Sequence, residues 1–286
     1  MKFIKIFSLV VTVLCSANAG VYAQNATGKL ALTKGQKLQV DNNIKSVISQ
    51  EMMGQQMEIM IDANLVHQLE VKDKKANSYV LSSMLTRLVT SGSAMGQEMK
   101  FDSDKPEDLE SETGKAIKSQ LNVNKEVELS DNAEVIKGVE KDTSSSGGQL
   151  MDIVKNVTGD LDESNGASAA FDVIPAGKKA GDSWSDSSIT EEIKTYRNYT
   201  IKEVNGNTAT VSLTGKQVTK KKVEQQGMEI NVNMEGILSG EGTVDMSTGL
   251  LKQRTMVMDG TGSAEIMGQS MPVTTKVTTT TTVKSI

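Results

Sequence analysis

A five-residue motif, Met-Gly-Gln-x-Met, occurs three times in this chain, at 53–57, 95–99 and 267–271. A degenerate fourth copy is Gln226-Gly227-Met228, followed by Glu229-Ile230 as Met57 is followed by Glu58-Ile59. Each copy interrupts a run of alternating apolar and polar residues, and alternation is the pattern of a half-buried strand. Glycine supplies the positive φ of a tight turn, so the motif reads as a reused hairpin turn. A chain punctuated this way folds as antiparallel strands joined by short hairpins. The recurrence also suggests that its first and last β regions are related by duplication.

The rest of the chain fits that reading. Strand patterns cover 39–48, 58–62, 64–71, 78–90 and 99–102. Others cover 189–204, 208–219, 228–246, 250–267 and 273–286, and Asn205-Gly206 is a strong hairpin signal. The final stretch is β-branched with Lys276 and Lys284 interspersed, which suits an edge strand. Between the β regions, Pro106 opens a helical spacing with Glu107, Asp108 and Glu110 in its first turn and Ile117 and Leu121 beyond. A small hairpin spans 127–139, and Leu150, Ile153, Val154, Val157 and Leu161 give 149–161 one apolar helical face. Helices do not alternate with strands, so parallel βαβ units are not expected. The expected class is mainly β, or α+β: large curved antiparallel sheets, half-barrel-like, with a small helical middle. The expected regions are 24–105, 106–170 and 171–286, with both β regions in one composite domain.

Residues 1–23 read as a secretory signal peptide. Lys2 and Lys5 precede an apolar run at 6–14, and cleavage fits after Ala19 or Ala23. Cys15 follows Leu14, which is not the small residue usual before a lipidated cysteine, so an anchor there is the lesser reading. Residues 25–31 are polar and read as loose. An exported chain, periplasmic or extracellular, is expected. Loss of the two lysines takes the net charge from −5 to −7, which disfavours a nucleic-acid partner. No second apolar stretch is long enough for a membrane helix.

Composition removes several chemistries. With one cysteine and one histidine there is no disulfide framework and no Cys/His zinc set. Any Ser-His-Asp or Cys-His group would have to use His67, which sits in Leu65-Val66-His67-Gln68-Leu69. Alternation puts it on the face of Leu65 and Leu69, where a satisfied, partly buried histidine is expected rather than a catalytic one. No catalytic residue, cofactor or metal is assigned, and the chain is read as no enzyme.

Methionine is the anomaly. There are sixteen, against four Phe, four Tyr and one Trp. The candidate contact or turn residues are Met53, Gly54, Gln55, Met57, Met95, Gly96, Gln97 and Met99. The later copies add Gln226, Gly227, Met228, Met267, Gly268, Gln269 and Met271. Methionine is an adaptable filler of apolar grooves, so a binding or carrier module for a lipid, another apolar ligand or an envelope partner is expected. Two alternatives are a structural, partner-binding envelope protein and a Cu(I) site of clustered thioethers, such as Met53, Met57 and Met60, or Met256 with Met258. Gly236, Gly240 and Gly242 lie inside a long strand, where bulges or bends would explain them.

The run Pro175-Ala176-Gly177-Lys178-Lys179-Ala180-Gly181-Asp182-Ser183-Trp184 resembles the Pro-x-x-x-Val-x-x-Gly-Asp-x-Trp signature of an uncharacterised family, a domain of unknown function, in secreted bacterial envelope proteins. Lys179 stands where that signature has valine, and the gap before Gly181 is one residue shorter. Residues 196–204 and 240–250 are similar to the family's next blocks, and 134–138 to its central hairpin. The resemblance implies a β meander and carries no catalytic residues. A meander with a helical middle is also similar to the half-barrel carriers of lipoproteins. Of the signature, Gly181 and Asp182 are read as shaping the turn before Trp184, itself a core or barrel-end plug.

Overall fold

The computed structural model describes residues 26–52, 55–94, 97–139, 166–225, 228–266 and 268–286. The signal-like stretch, the 149–161 pattern and the turn residues Met53, Gly54, Met95, Gly96, Gln226, Gly227 and Met267 lie outside them.

Sustained alternation gives strands far longer than the usual five or six residues. In the first half these are β1 (Lys37–Met52), β2 (Gln55–Lys74), β3 (Ser78–Ala94) and the short β4 (Gln97–Asp102), β5 (Lys125–Ser130) and β6 (Val135–Lys137). The second half holds β7 (Ser183–Ile189), β8 (Ile193–Asn205), β9 (Thr208–Gln225), β10 (Met228–Asp245), β11 (Leu251–Ile266) and β12 (Gln269–Ser285). All lie in one antiparallel sheet in the order β6-β5-β3-β2-β1-β12-β11-β10-β9-β8-β7, with β4 on the upper part of β3. The first half therefore winds outward from the centre and the second winds back to it.

Two short helices cannot cover a sheet of this span, so it must curl until its own residues meet. It does. One cluster unites Leu129 of β5, Leu38 of β1, Val283 of β12 and Ile201 of β8, near both edges of the sheet. The face carrying these residues is called inward below. The lower end is closed by the chain's own first described residues. Leu30 N–H donates to the Asp131 carbonyl (2.6 Å) and Ala31 N–H to that of Thr248 (3.1 Å), spanning the β5–β6 and β10–β11 turns. Tyr79 Oη donates to the Leu30 carbonyl at 2.9 Å. Ala26, Leu30 and Leu32 are buried with Phe171 and Ile174. Residues 26–32 thus form a plug, and 26–31 are not a loose leader, because Ala26, Leu30 and Leu32 find the open end of the sheet.

A second cluster, Ile44, Ala63, Leu65, Leu85, Leu88 and Phe101, is covered by Ile117. The expected single helix breaks in two, α1 (Pro106–Leu109) and α2 (Glu112–Lys118), because Ser111 caps the second by accepting from Gly114 N–H at 3.0 Å. Two further expectations are corrected. The threonine-rich final strand is central, between β1 and β11. Its Val273 and Val283 face the core, Thr281 Oγ donates to Asn42 Oδ1 (2.7 Å), and Lys276 is simply on the outward face opposite Asp259. The actual edge includes β7, whose polar Ser-rich sequence lacked a strand pattern and is mostly exposed.

Candidate functional site

Register fixes where the repeats go. β1, β3, β9 and β11 all run toward the same end of the sheet, so the four motif hairpins converge on one rim, opposite the plug. The motif also has a constant phase. Gln55 pairs with Met52, Gln97 with Ala94 and Gln269 with Ile266, so the turn is two residues and the second methionine stands two residues into the returning strand. Alternation then sends Met57, Met99 and Met271 inward, each half-buried. In the fourth copy Met228 pairs with Gln225, and Ile230 faces inward opposite Ile266. Gly268, with φ of 79°, and Gln269 are exposed at the rim.

Below this rim the inward face is a trough. Its walls are Ile48 and Ile59, which pair across β1 and β2, with Met57, Met99 and Val273. Its floor is made by β9, β10 and β11, where Gly215, Gly236, Gly240, Gly260 and Gly262 face inward. Neither Gly236 nor Gly240 marks a bulge, since the β10–β11 register shifts only between Thr243 and Val244. They make room for methionines of neighbouring strands. A Cβ on Gly236 would lie 3.0 Å from Met258 Cγ, one on Gly240 3.0 Å from Met256 Cγ, and one on Gly260 3.3 Å from Met234 Cε. Three thioether chains thus fold down flat over three glycines. The floor is low, apolar and deformable.

The copper grouping of Met53, Met57 and Met60 is not assembled. Met57 faces inward, Met60 is outward and 48% exposed, and Met53 lies outside the described residues. Met256 and Met258 share the inward face but lie down over separate glycines. Among the described residues no three His, Cys, Asp or Glu side chains group as a metal site.

His67 is deeper than expected and is not satisfied. It is 3% exposed, and its Nδ1 has no hydrogen-bond partner among the described residues. Gly166 packs directly on its ring. Desolvation, with the positive Lys125 nearby as a second cause, lowers its pKa to about 4. Asn42 Nδ2, Ser46 Oγ and Thr90 Oγ1 are also buried without a partner. These orphans interrupt the inward face between its closed and open parts, and sequence alone could not signal them.

The Gly-Asp-Ser-Trp turn lies at the β7 edge. Gly181, with φ of 89°, donates its N–H to the Ile201 carbonyl at 2.8 Å, and the Asp182 carboxylate accepts from Lys179 N–H at 3.0 Å. Trp184 is half-buried and stacks on Tyr199, with centroids 5.1 Å apart. Tyr199 Oη donates to Asp186, which pairs with Arg197 at 2.7 Å, and burial raises the tyrosine pKa. Trp184 therefore anchors an edge strand onto the core.

The outward face has its own feature, which the sequence reading missed. One continuous cross-strand row reads Met60, Val47, Lys276, Asp259, Ile237, Lys216, Tyr196. Ile237 is 62% exposed, and a shallow depression of about 530 Å³ lies between it and Val47. Period-2 alternation would have revealed these residues as apolar positions on the polar side of their strands.

These features define a protein built on one open, curved antiparallel sheet, closed below and open above. The chain belongs to the family of unknown function DUF6263, whose pattern matches residues 76–251. An outer membrane channel from Pseudomonas putida F1 aligns over 90% of this chain and 98% of its own, at 8% identity and a TM-score of 0.26, too low to carry any argument. No curated protein matches. No helix among the described residues is long and apolar enough to cross a membrane.

Proposed function

We propose that this chain is an exported, non-enzymatic binding module that holds an apolar ligand in the trough. The observation that carries this reading is the change along the inward face. Below, Leu38, Leu81, Leu129 and Ile201 are fully buried; above, Ile48, Ile59, Met57 and Met234 are only half-covered by the described residues. Apolar surface left this way gains free energy when a ligand removes it from water. The signal-like start supports export. The isolation of the single histidine under Gly166 supports a role without acid–base chemistry. Native mass spectrometry of the full chain, purified from its host without detergent, tests the reading. A lipid-range mass adduct is expected; a bare chain that also fails to take up a hydrophobic dye would overturn it.

The second reading is an interaction protein of the cell envelope. It is favoured by the outward row, whose Met60, Val47, Ile237 and Tyr196 are exposed apolar surface. Pull-down distinguishes the surfaces: Ile237→Asp disrupts capture through the row, whereas serine at Met53, Met95 and Met267 disrupts capture through the rim.

A further inference from the structure

We infer that the occupant of the trough is a long-chain fatty acid, its acyl chain over the methionine–glycine floor and its carboxylate at Lys221. The inference rests on the binding reading above and adds the ligand's class. The floor has a direction. Gly215 on β9, Gly236 on β10 and Gly260 and Gly262 on β11 occupy successive inward rows, since Gly215 pairs with Leu238, Gly236 with Gly260 and Gly262 with Met234. Strand spacing and rise make this furrow about 16 Å long, and it is a shallow track surfaced by thioethers, since Met258 lies over Gly236 and Met234 over Gly260. One bilayer leaflet, half of a hydrocarbon core about 30 Å thick, is a comparable length, so the furrow suits one unbranched acyl chain. Methionines lying flat along it conform to such a chain without demanding branches or rings. The backbone around it is committed to the sheet ladder and offers little to a polar ligand body.

The head is assigned from charge. Two arginines face inward at or below this level, and both are neutralised: Arg254 by Asp172 at 3.0 Å, Arg197 by Asp186 at 2.7 Å. Lys221 faces inward opposite Val232, one row above Met234 and Gly262. It is half-buried and forms no ion pair among the described residues. Its neighbours differ: Lys220 is on the outward face, and Lys222 pairs with Glu229 at 3.1 Å. A half-buried ammonium at the upper end of an apolar furrow calls for an anion at the end of an apolar chain, and a carboxylate supplies it through a charge-assisted hydrogen bond.

The test titrates the delipidated full chain at pH 8 with palmitate and with methyl palmitate. Palmitate is expected to bind about tenfold more tightly than the ester, the margin of one charge-assisted hydrogen bond. Lys221→Gln should remove that margin and leave ester affinity unchanged. Lys221→Arg should keep the margin, and Lys220→Gln should alter neither; circular dichroism confirms that each variant is folded. Equal affinity for acid and ester, or a preference that survives in Lys221→Gln, overturns the inference while leaving the binding reading intact. If neither compound binds, the inference falls, and the binding reading is decided separately by the native mass spectrum and dye uptake.

Discussion

The two halves of the inward face are built from the same strands and do opposite things. Below, strand residues interdigitate with a plug from residues 26–32, and Leu38, Leu81, Leu129 and Ile201 are fully buried. Above, β9 to β12 continue with glycine, threonine and methionine among their inward residues, and β1 and β2 end in the half-covered Ile48 and Ile59. The difference teaches that a long strand need not serve one purpose. Its lower part is paid with packing, and its upper part is left as surface. Apolar contact stabilises only where both partners are present, so the packed lower part carries more of the stability than the half-covered upper part.

The largest expected effect tests that difference directly. Leu81 is fully buried in the lower cluster. Leu81→Ala should cost about 4 kcal/mol, since it leaves a cavity in a packed core. Met57→Ala, on the half-covered inward face below the rim, should cost only about 1 kcal/mol. Urea unfolding of the two variants checks this, and equal costs would mean that the upper face is as tightly packed as the lower.

Next comes acid. His67 lies on the boundary, with a folded pKa of about 4 against 6.5 when unfolded. Below pH 6.5 the unfolded chain takes the proton first, so stability is complete above that pH and declines as pH falls. The loss levels off below pH 4, at about 3 kcal/mol from this one group. Denaturant midpoints measured between pH 7 and pH 4 should show it, and His67→Leu should flatten that part of the profile. A wild-type midpoint as flat as the variant's would place the imidazole in contact with water.

A smaller effect concerns the plug. Tyr79→Phe removes the hydroxyl that donates to the Leu30 carbonyl and leaves the ring in place. The expected cost is about 1 kcal/mol, the net worth of one such bond. Hydrogen exchange should rise at Leu30 and Ala31 and remain unchanged at the rim.

Much of the fold was legible because period-2 alternation and glycine turns are local signals. Long strands and short hairpins follow from them, and the helical spacing after Pro106 is an equally local signal. Strand order is not local, which is why the threonine-rich β12 was expected at an edge and lies at the centre. Lysine on a strand marks an exposed face as readily as an exposed edge, and only the partner strands decide between them. The plug was missed because Ala26, Leu30 and Leu32 are too few apolar residues in a polar stretch to mark an element. The site was half legible. The motif named the methionines, and a constant two-residue turn gave Met57, Met99 and Met271 their common direction. The floor was hidden, because pairing Met258 with Gly236, Met256 with Gly240 and Met234 with Gly260 requires the cross-strand register.

The smallest expected effect lies on the outward face, where the comparison between packed and exposed apolar residues is sharpest. Ile237 touches the shallow depression yet is 62% exposed, so its side chain contributes little burial to the folded chain. Ile237→Ser should change stability by no more than about 0.5 kcal/mol, the usual range for a surface substitution. The same change is small for Lys216→Gln, whose partner Glu235 at 2.7 Å is likewise exposed, because water and salt screen such pairs. A larger loss at Ile237 would mean that something covers this row in solution, and its dependence on protein concentration would then tell whether the cover is a second copy. If the loss stays small and a partner is still captured, the outward row binds without stabilising, as is proposed for the trough on the inward side.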